Sequence, residues 1–516
     1  MLQLLLGGSG SGKTTLLYQR IRARAEKGEK SILLVPEQFT SSTEGRIYRE
    51  LGDALSGMVE SFSFTSLAEK ILSTEGGAAV QTLSDAGRAV LVRRALEELQ
   101  DNVHYYHRHR RSAAFCQMAA QTIDELKSAG LSGQQLAQLA GACGAESGKL
   151  SELALIFQGY ETLLARSGMD PSDRLELAGA RLEEALARHS LPEFLRDRAV
   201  FIDEFDTFNA PKKRLLGALL AALPSVTVAL CDDGSPLLPG DLSLFSGAKQ
   251  VAAQLRQLAR KNGTEVAAPQ LLRKDLRHRN APGLAAVAEL LETGSCTADA
   301  PADEVRLFAA PSREEEARAA AGAIRRLMRQ GVRCGKIAVV CRDIAKYRAA
   351  VRYEFRMAEL PLYCDEPTTP EFSAPATAVR ALLEIARGAD LTENLTTLAK
   401  TGLCALSEEQ VCALENYAYT WAPTAAAWRE KFERSPKGFG EQELTEEDLR
   451  NREQAEHARA LLVGAVDAFR AKVRGVSAEA ISRAVYFCLK TLGAEEQQAA
   501  QVKAIRAGRG IPAAEE

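Results

Sequence analysis

Two short stretches carry residue types suited to phosphate chemistry. The first is Gly7-Gly8-Ser9-Gly10-Ser11-Gly12-Lys13-Thr14-Thr15, directly after the apolar run Leu2, Leu4, Leu5, Leu6. Gly7, four residues, then Gly12, Lys13 and Thr14 is the spacing of a phosphate-binding loop between a strand and a helix. A phosphate chain must be approached by backbone N–H groups, and glycines permit that approach because they lack Cβ and tolerate positive φ. The helix opening near Lys13 adds free N–H groups and the positive end of its dipole. Lys13 is expected to reach the β- and γ-phosphates of ATP, and the Thr14 hydroxyl to ligate Mg²⁺. The second stretch is Ala199-Val200-Phe201-Ile202 followed by Asp203-Glu204. An apolar strand ending in Asp-Glu suits a metal-holding carboxylate, Asp203, beside one that orients or activates water, Glu204. Alone it is a weak motif, because strands often end in acidic residues; beside a strong phosphate loop it gains weight.

The elements that position these residues follow an α/β pattern. Leu2–Leu6 and Ser31–Val35 read as buried strands, Val59–Phe64 as a third, and Ser225–Leu230 as another; Thr15–Lys27 and Thr65–Leu72 read as helices. From about Thr82 to His189 nearly everything reads as helix, with Ser84 and Asp173 as N-caps. Residues 1–80 and 190–270 therefore form a first α/β lobe, with 81–189 as a helical insertion. Thr293–Asp303 reads as a linker. A second lobe, 271–373, is expected to hold strands at Glu304–Phe308, Lys336–Cys341 and Leu360–Cys364, with helices at Ser312–Gln330 and Asp343–Arg356. Residues 374–516 read as helical, with Trp421 and Trp428 in its core.

The chain has 516 residues, 46% hydrophobic and 26% charged, with a net charge of −3. That charge excludes a uniformly basic nucleic-acid binder. No apolar run is long enough to span a bilayer, and Met1 leads straight into a strand rather than a leader, so a cytoplasmic protein without membrane contact is expected. The ten cysteines are scattered and no CxxC occurs, which fits reduced thiols and gives no metal site. One local exception to the charge balance is His104-Tyr105-Tyr106-His107-Arg108-His109-Arg110-Arg111. Basic residues interleaved with aromatics suit a nucleic-acid backbone and its bases; a solvated loop explains them equally well. The stretch Lys274–Arg279 (KDLRHR) is also basic.

The order of parts resembles the UvrD-like superfamily-one helicases. LLLGGSGSGKTTLL, ILLVPEQFT, VESFSFTSLAEKIL, IAVVCRDIAKYRAAV, LPLYCDEPTTP and LENYAYTWAPTAAAW narrow the resemblance, from Met1 to about Ala480, to the AddB family. Its members work within AddAB (RexAB-type) ATP-dependent helicase–nucleases. The resemblance implies RecA-like lobes, each with a helical insertion. It also implies ATP and Mg²⁺ as ligands, an AddA-like partner, and single- and double-stranded DNA processed at double-strand breaks for recombinational repair. Thr40, Ser63 and Thr65, which follow strand ends, are the expected DNA backbone contacts. UvrD-like motors carry a Gln where this chain has Asp206 and another where it has Cys231-Asp232-Asp233-Gly234, which implies a degenerate motor. The family's further motifs, including a γ-phosphate-sensing Arg, and its nuclease domain with a cysteine-ligated iron–sulfur cluster are expected downstream of Glu516. Two other functions stay open: an active UvrD-like translocase, or a DNA-binding scaffold with a vestigial phosphate loop.

Overall fold

The computed structural model describes all residues except 78, 145–146, 296–303, 365–371, 441–442 and 510–516, and except the side chains of 40, 41, 508 and 509. The protein is a mixed α/β protein dividing into two compact units, Met1–Phe308 and Ala309–Glu516.

The first unit is built on one six-stranded parallel sheet. Its strands are β1 (Leu2–Gly7), β2 (Ser31–Leu34), β3 (Val59–Phe62), β4 (Ala199–Ile202), β5 (Ser225–Cys231) and β6 (Gln270–Leu272), in the spatial order β3-β2-β4-β5-β1-β6. Register places Gly7 of β1 opposite Cys231 of β5 and Leu272 of β6, while Ile202 of β4 lies opposite Leu34 and Val228. All strands run the same way, so the phosphate loop after β1 and Asp203-Glu204 after β4 emerge at the same, carboxyl edge of the sheet, where α/β folds hold their ligands.

Side-chain alternation explains why both faces are covered. Leu2, Leu4, Leu6, Ile32, Leu34, Val200, Ile202, Val226, Val228 and Leu230 face one core, which also receives Leu175, Ala178 and Leu182 from the helix Pro171–Ala187. Leu5, Leu33, Phe201 and Ala229 face the other, against Leu17 and Ile21 of helix α1 (Lys13–Ala25) and Ile47 of helix α2 (Thr40–Leu51). Residues 85–187 form the expected helical stretch around a core of their own that includes Phe115, Phe157 and Tyr160. Ser84 caps its first helix, its hydroxyl accepting from the Gly87 N–H. At the last of these helices Asp170, not Asp173, occupies the cap position, because Pro171 fits the first helical turn.

Three expectations change. Strand β3 stops at Phe62, since Ser63 turns the chain into the helix Phe64–Glu75 by a reciprocal cap with Ser66. Residues 271–295, expected in the second lobe, pack with the first unit: β6 extends the sheet beyond β1, and the helix Pro282–Thr293 follows. The expected linker lies mostly, and the C-terminal tail partly, outside the described residues. Finally, among the described residues no strand forms at 304–308, at the end of the first unit, or at 336–341 and 360–364 in the second unit, which is helical. A parallel strand needs ladder partners and cover on both faces. Leu307, Val340 and Tyr363 are instead 100%, 91% and 89% exposed.

The second unit's main core gathers helices between Ala374 and Leu492, including Leu382, Leu414, Leu462 and Trp428. Trp428 is fully buried, and its indole Nε1 donates to Thr392 Oγ1 at 2.8 Å. Trp421 is half-buried against the same core. No described helix of the chain is long and apolar enough to cross a membrane.

Candidate nucleotide site

The loop between β1 and α1 wraps closely. Gly10 (φ 78°) and Gly12 (φ 89°) lie in the left-handed region, where any Cβ is strained. Gly12 is also the N-cap of α1, so the first turn of that helix, with Lys13, Thr14 and the exposed Thr15, aims its unpaired N–H groups at the loop. A Cβ on Gly7 would strike Ser11 Oγ and the Leu272 carbonyl, and one on Gly8 would meet Glu292 Oε1 at 2.7 Å. Ser11 is buried, and its hydroxyl has no hydrogen-bond partner among the described residues. Ser9, at the exposed tip, accepts from Arg277 Nη1 at 3.2 Å.

Lys13 folds back over the loop. Its ammonium donates to the carbonyls of Gly7 and Gly8, each at 2.8 Å. Burial holds its pKa below the ordinary lysine value, against the opposing pull of Cys231 and Asp203. The structure also joins the two halves of the motif. Asp203, 6% exposed, stands beside Thr14, whose side chain favours its ionised form, and its Oδ1 accepts from the Glu204 N–H at 3.0 Å. Burial pushes the Asp203 carboxyl up, and burial followed by the Asp203 charge pushes Glu204 up. Glu204 is exposed and sits at φ 65°, a left-handed conformation that costs a non-glycine residue of order 1–3 kcal/mol. Such strain aims a side chain where relaxed backbone would not.

A cavity of about 210 Å³ opens beside this pair, lined by Thr14, Tyr18, Arg46, Arg49, Asp203 and Glu204 among others. Arg46 of α2 stands 4.9 Å from the Tyr18 ring centroid, and its charge favours ionisation of both carboxylates. Burial pushes the Tyr18 hydroxyl up to about 12. The residues therefore fit a magnesium nucleotide: a glycine cradle, an orphaned buried hydroxyl, an ammonium, and a hydroxyl–carboxylate pair of oxygen donors.

Sequence reasoning missed three residues here. Arg277 belongs to the basic run 274–279, whose turn is held by Asp275 Oδ1 accepting from the N–H groups of Arg277 and His278, each at 3.0 Å. The Leu276 N–H donates to the Gly10 carbonyl at 3.0 Å, which lays this turn on the loop. Charge alone marked the run; only β6 pairing with β1 brings it to the site. Glu292 and Arg46 come from helices whose sequences carry no comparable mark.

The expected DNA contacts fall on the β2–α2 and β3 ends. Thr40 is the first residue of α2, and its side chain lies outside the described residues. Ser63 is buried, its hydroxyl bound into the helix cap with Ser66. Thr65 is exposed and donates to Glu37 Oε1 at 2.7 Å, tying the two strand ends together.

Comparison with known proteins follows the same lines. A family model described as "ADDB, N-terminal" matches residues 4–288. Similar proteins include three that are each named as the second, B-type component of an ATP-dependent helicase/deoxyribonuclease. That of Desulforudis audaxviator is 32% identical over 446 residues, covering 83% of this chain and 37% of the relative. That of Symbiobacterium thermophilum is 31% identical over 455 residues, covering 83% and 38%. That of Clostridium perfringens strain 13 is 27% identical over 489 residues, covering 92% and 42%. The chain thus spans about two-fifths of the length of the curated relatives it matches. With more than half of its residues under that family model and the phosphate loop and its acidic pair on one sheet edge, the chain belongs to the AddB N-terminal family.

Proposed function

We propose that the first unit binds Mg·ATP on the loop Gly7–Thr15, as the nucleotide-binding part of an AddB-type protein. That protein works with an AddA-like partner on DNA ends during recombinational repair, in the cytoplasm. The observation that carries the nucleotide reading is the convergence of Lys13, Thr14 and Asp203 at one sheet edge, which gathers an ammonium, a hydroxyl and a carboxylate from two separate strand ends. Bound Mg·ATP would supply a charged triphosphate and the metal that screens it. Lys13 would exchange its two loop carbonyls for phosphate oxygens, Thr14 and Asp203 would hold the metal, and the raised carboxyl of Glu204 would orient water and accept its proton. Arg277 adds a cation at the tip of the loop.

In this reading 1–80 with 190–270 is a RecA-like lobe, extended by 271–295, and 81–189 is its insertion. Residues 374–516 form the insertion of a second lobe. Single-stranded DNA passes the β2 and β3 ends, touching Thr40 and Thr65 through backbone phosphates; Ser63 serves through its helix cap. Asp206, Asp232 and Asp233, acidic where UvrD-like motors carry glutamine, favour a reading of nucleotide binding with little coupling to DNA. Titration of ATP with and without Mg²⁺, followed by turnover with and without single-stranded DNA, tests the proposal. Mg²⁺-dependent binding with turnover near background is expected. Absence of Mg²⁺-dependent binding would leave the scaffold reading, and strong DNA-stimulated turnover the translocase.

A further inference from the structure

The basic aromatic run His104–Arg111 lies outside the nucleotide site, between the helices Asp85–Glu98 and Ala113–Ser128. It is held rather than loose. The Glu152 carboxylate accepts from the N–H groups of His104 and Tyr105 at 2.8 Å and of Tyr106 at 3.2 Å. Tyr106 packs on the buried Phe115 at 5.1 Å between centroids, and Tyr105 stands edge-on to Tyr106 at 4.9 Å. This anchoring leaves Tyr105 61% exposed. Arg108 and Arg111 are exposed as well, and among the described residues neither they nor Arg110 form an ion pair. Their neighbours behave differently: Arg88, Arg93 and Arg94 on the preceding helix pair with Asp85, Glu97 and Glu98. The run holds three of the chain's six histidines, three arginines and no carboxylate, in a protein of net charge −3.

We infer that this loop is a second nucleic-acid contact, binding single-stranded DNA with Tyr105 as a stacking platform and Arg108 and Arg111 as phosphate contacts. A fixed aromatic beside unneutralised guanidinium groups is what a single strand requires, since every base offers a π-face and every linkage a charge. An acidic polypeptide would satisfy the arginines but give no role to an anchored, exposed tyrosine. The inference rests on DNA being the partner, as proposed above, and adds a site on the helical insertion.

The test uses the full chain with a fluorescein-labelled oligothymidylate, followed by anisotropy over a salt series. Arg108→Ala with Arg111→Ala should lower the slope of log affinity against log salt by about 1.4, from about 0.7 per phosphate on single strands. The paired lysine variants, Arg108→Lys with Arg111→Lys, should restore the slope. Tyr105→Ala should weaken binding about five- to a hundredfold, and Tyr105→Phe should leave it unchanged. An oligonucleotide carrying 4-thiothymidine should photocross-link within residues 104–111. Binding that ignores all these substitutions, or cross-links only elsewhere, overturns the inference while the wider DNA reading stands. No DNA binding by the unaltered chain overturns both. Loss of duplex and single-strand binding to the same extent, with Tyr105→Ala silent, or polyglutamate competing as well as DNA, also overturns it.

Discussion

Asp203→Asn should move stability and metal binding in opposite directions. Asp203 is 6% exposed at the end of β4, and burial raises its carboxyl above the reference 3.8 despite the neighbouring Thr14 hydroxyl, the Glu204 hydrogen bond and the Arg46 and Lys13 charges. In the pH window above that reference, the folded chain retains a proton that the unfolded chain has released. The folded state then binds more protons, so stability falls as pH rises through the window, and the loss is complete above the raised value. Asparagine removes the buried charge and keeps an oxygen for the Glu204 N–H. Relief of this kind contributes about 0.5–2 kcal/mol. With about 2.1 cal/mol/K per residue over the 308 residues of the first unit, 1 kcal/mol is about 1.5 °C, so the variant should melt about 1–3 °C higher at pH 7 without nucleotide. The same change removes a charged metal ligand, and the Mg²⁺-dependent part of ATP affinity should fall about ten- to hundredfold. Scanning calorimetry from pH 5 to 8 and titration calorimetry with and without Mg²⁺ read the two effects. A variant that melts lower at neutral pH would show that Asp203 is fully compensated in the free chain. An unchanged Mg²⁺ dependence would remove Asp203 from the metal site.

Lys13→Ala should weaken ATP binding about ten- to hundredfold, by loss of a charge-assisted contact of roughly 1.5–3 kcal/mol; unaltered affinity in equilibrium titration would make the loop vestigial. Gly12→Ala should cost about 1 kcal/mol or more, because its φ of 89° is strained for alanine, and should impair nucleotide binding in the same titration. Trp428→Ala should destabilise the second unit by about 3–5 kcal/mol through an unfilled core, read as a lower melting transition; a change below about 1 kcal/mol would contradict its burial. Thr65→Val, which breaks the hydrogen bond to Glu37, should weaken single-stranded DNA binding at low salt with little change in the salt slope.

The first unit was legible because its signals are local. An apolar run of four to seven residues followed by Gly-rich or acidic chain specifies a buried parallel strand and a ligand edge, and β1, β2, β4 and β5 all fall where the sequence puts them. The three-residue β6 was not legible, since nothing sets Gln270–Leu272 apart from short coil until β1 offers it a ladder. The placement of Arg277 and Glu292 depends on that same pairing. The second unit misled for the complementary reason. KIAVVC has a strand's composition, yet composition cannot supply the neighbour a strand must bond to, and Val339 and Val340 lie exposed. Ser63 shows a smaller conflict of the same kind: a serine after an apolar run serves either a ligand or a helix cap, and its burial with Ser66 selects the cap.

The proposed division between binding and coupling has a physical basis at the end of β5. The Asp232 N–H donates to the Gly7 carbonyl at 3.2 Å, which places this turn against the phosphate loop. Asp232 is 3% exposed, and its Oδ1 accepts from the Gly234 N–H at 2.7 Å; Asp233 Oδ1 likewise accepts from Ser235 at 2.8 Å. Both carboxylates are thus spent on shaping the turn that the strand end must make. An amide at such a position has N–H groups to offer a terminal phosphate. A carboxylate has acceptors only, and when ionised it repels the group it would have to sense. In the proposed complex Lys13 and Thr14 would attract the nucleotide from one side of the loop, and Asp203 would do so through the metal. The β5 side keeps the backbone in place without offering a donor that changes partner when the terminal phosphate leaves. With the proposed nucleotide bound, a site so arranged would favour the nucleotide-bound form of its lobe and transmit little of the difference between triphosphate and diphosphate. Under the proposed function, ATP would hold the shape of this lobe while an AddA-like partner moves the DNA.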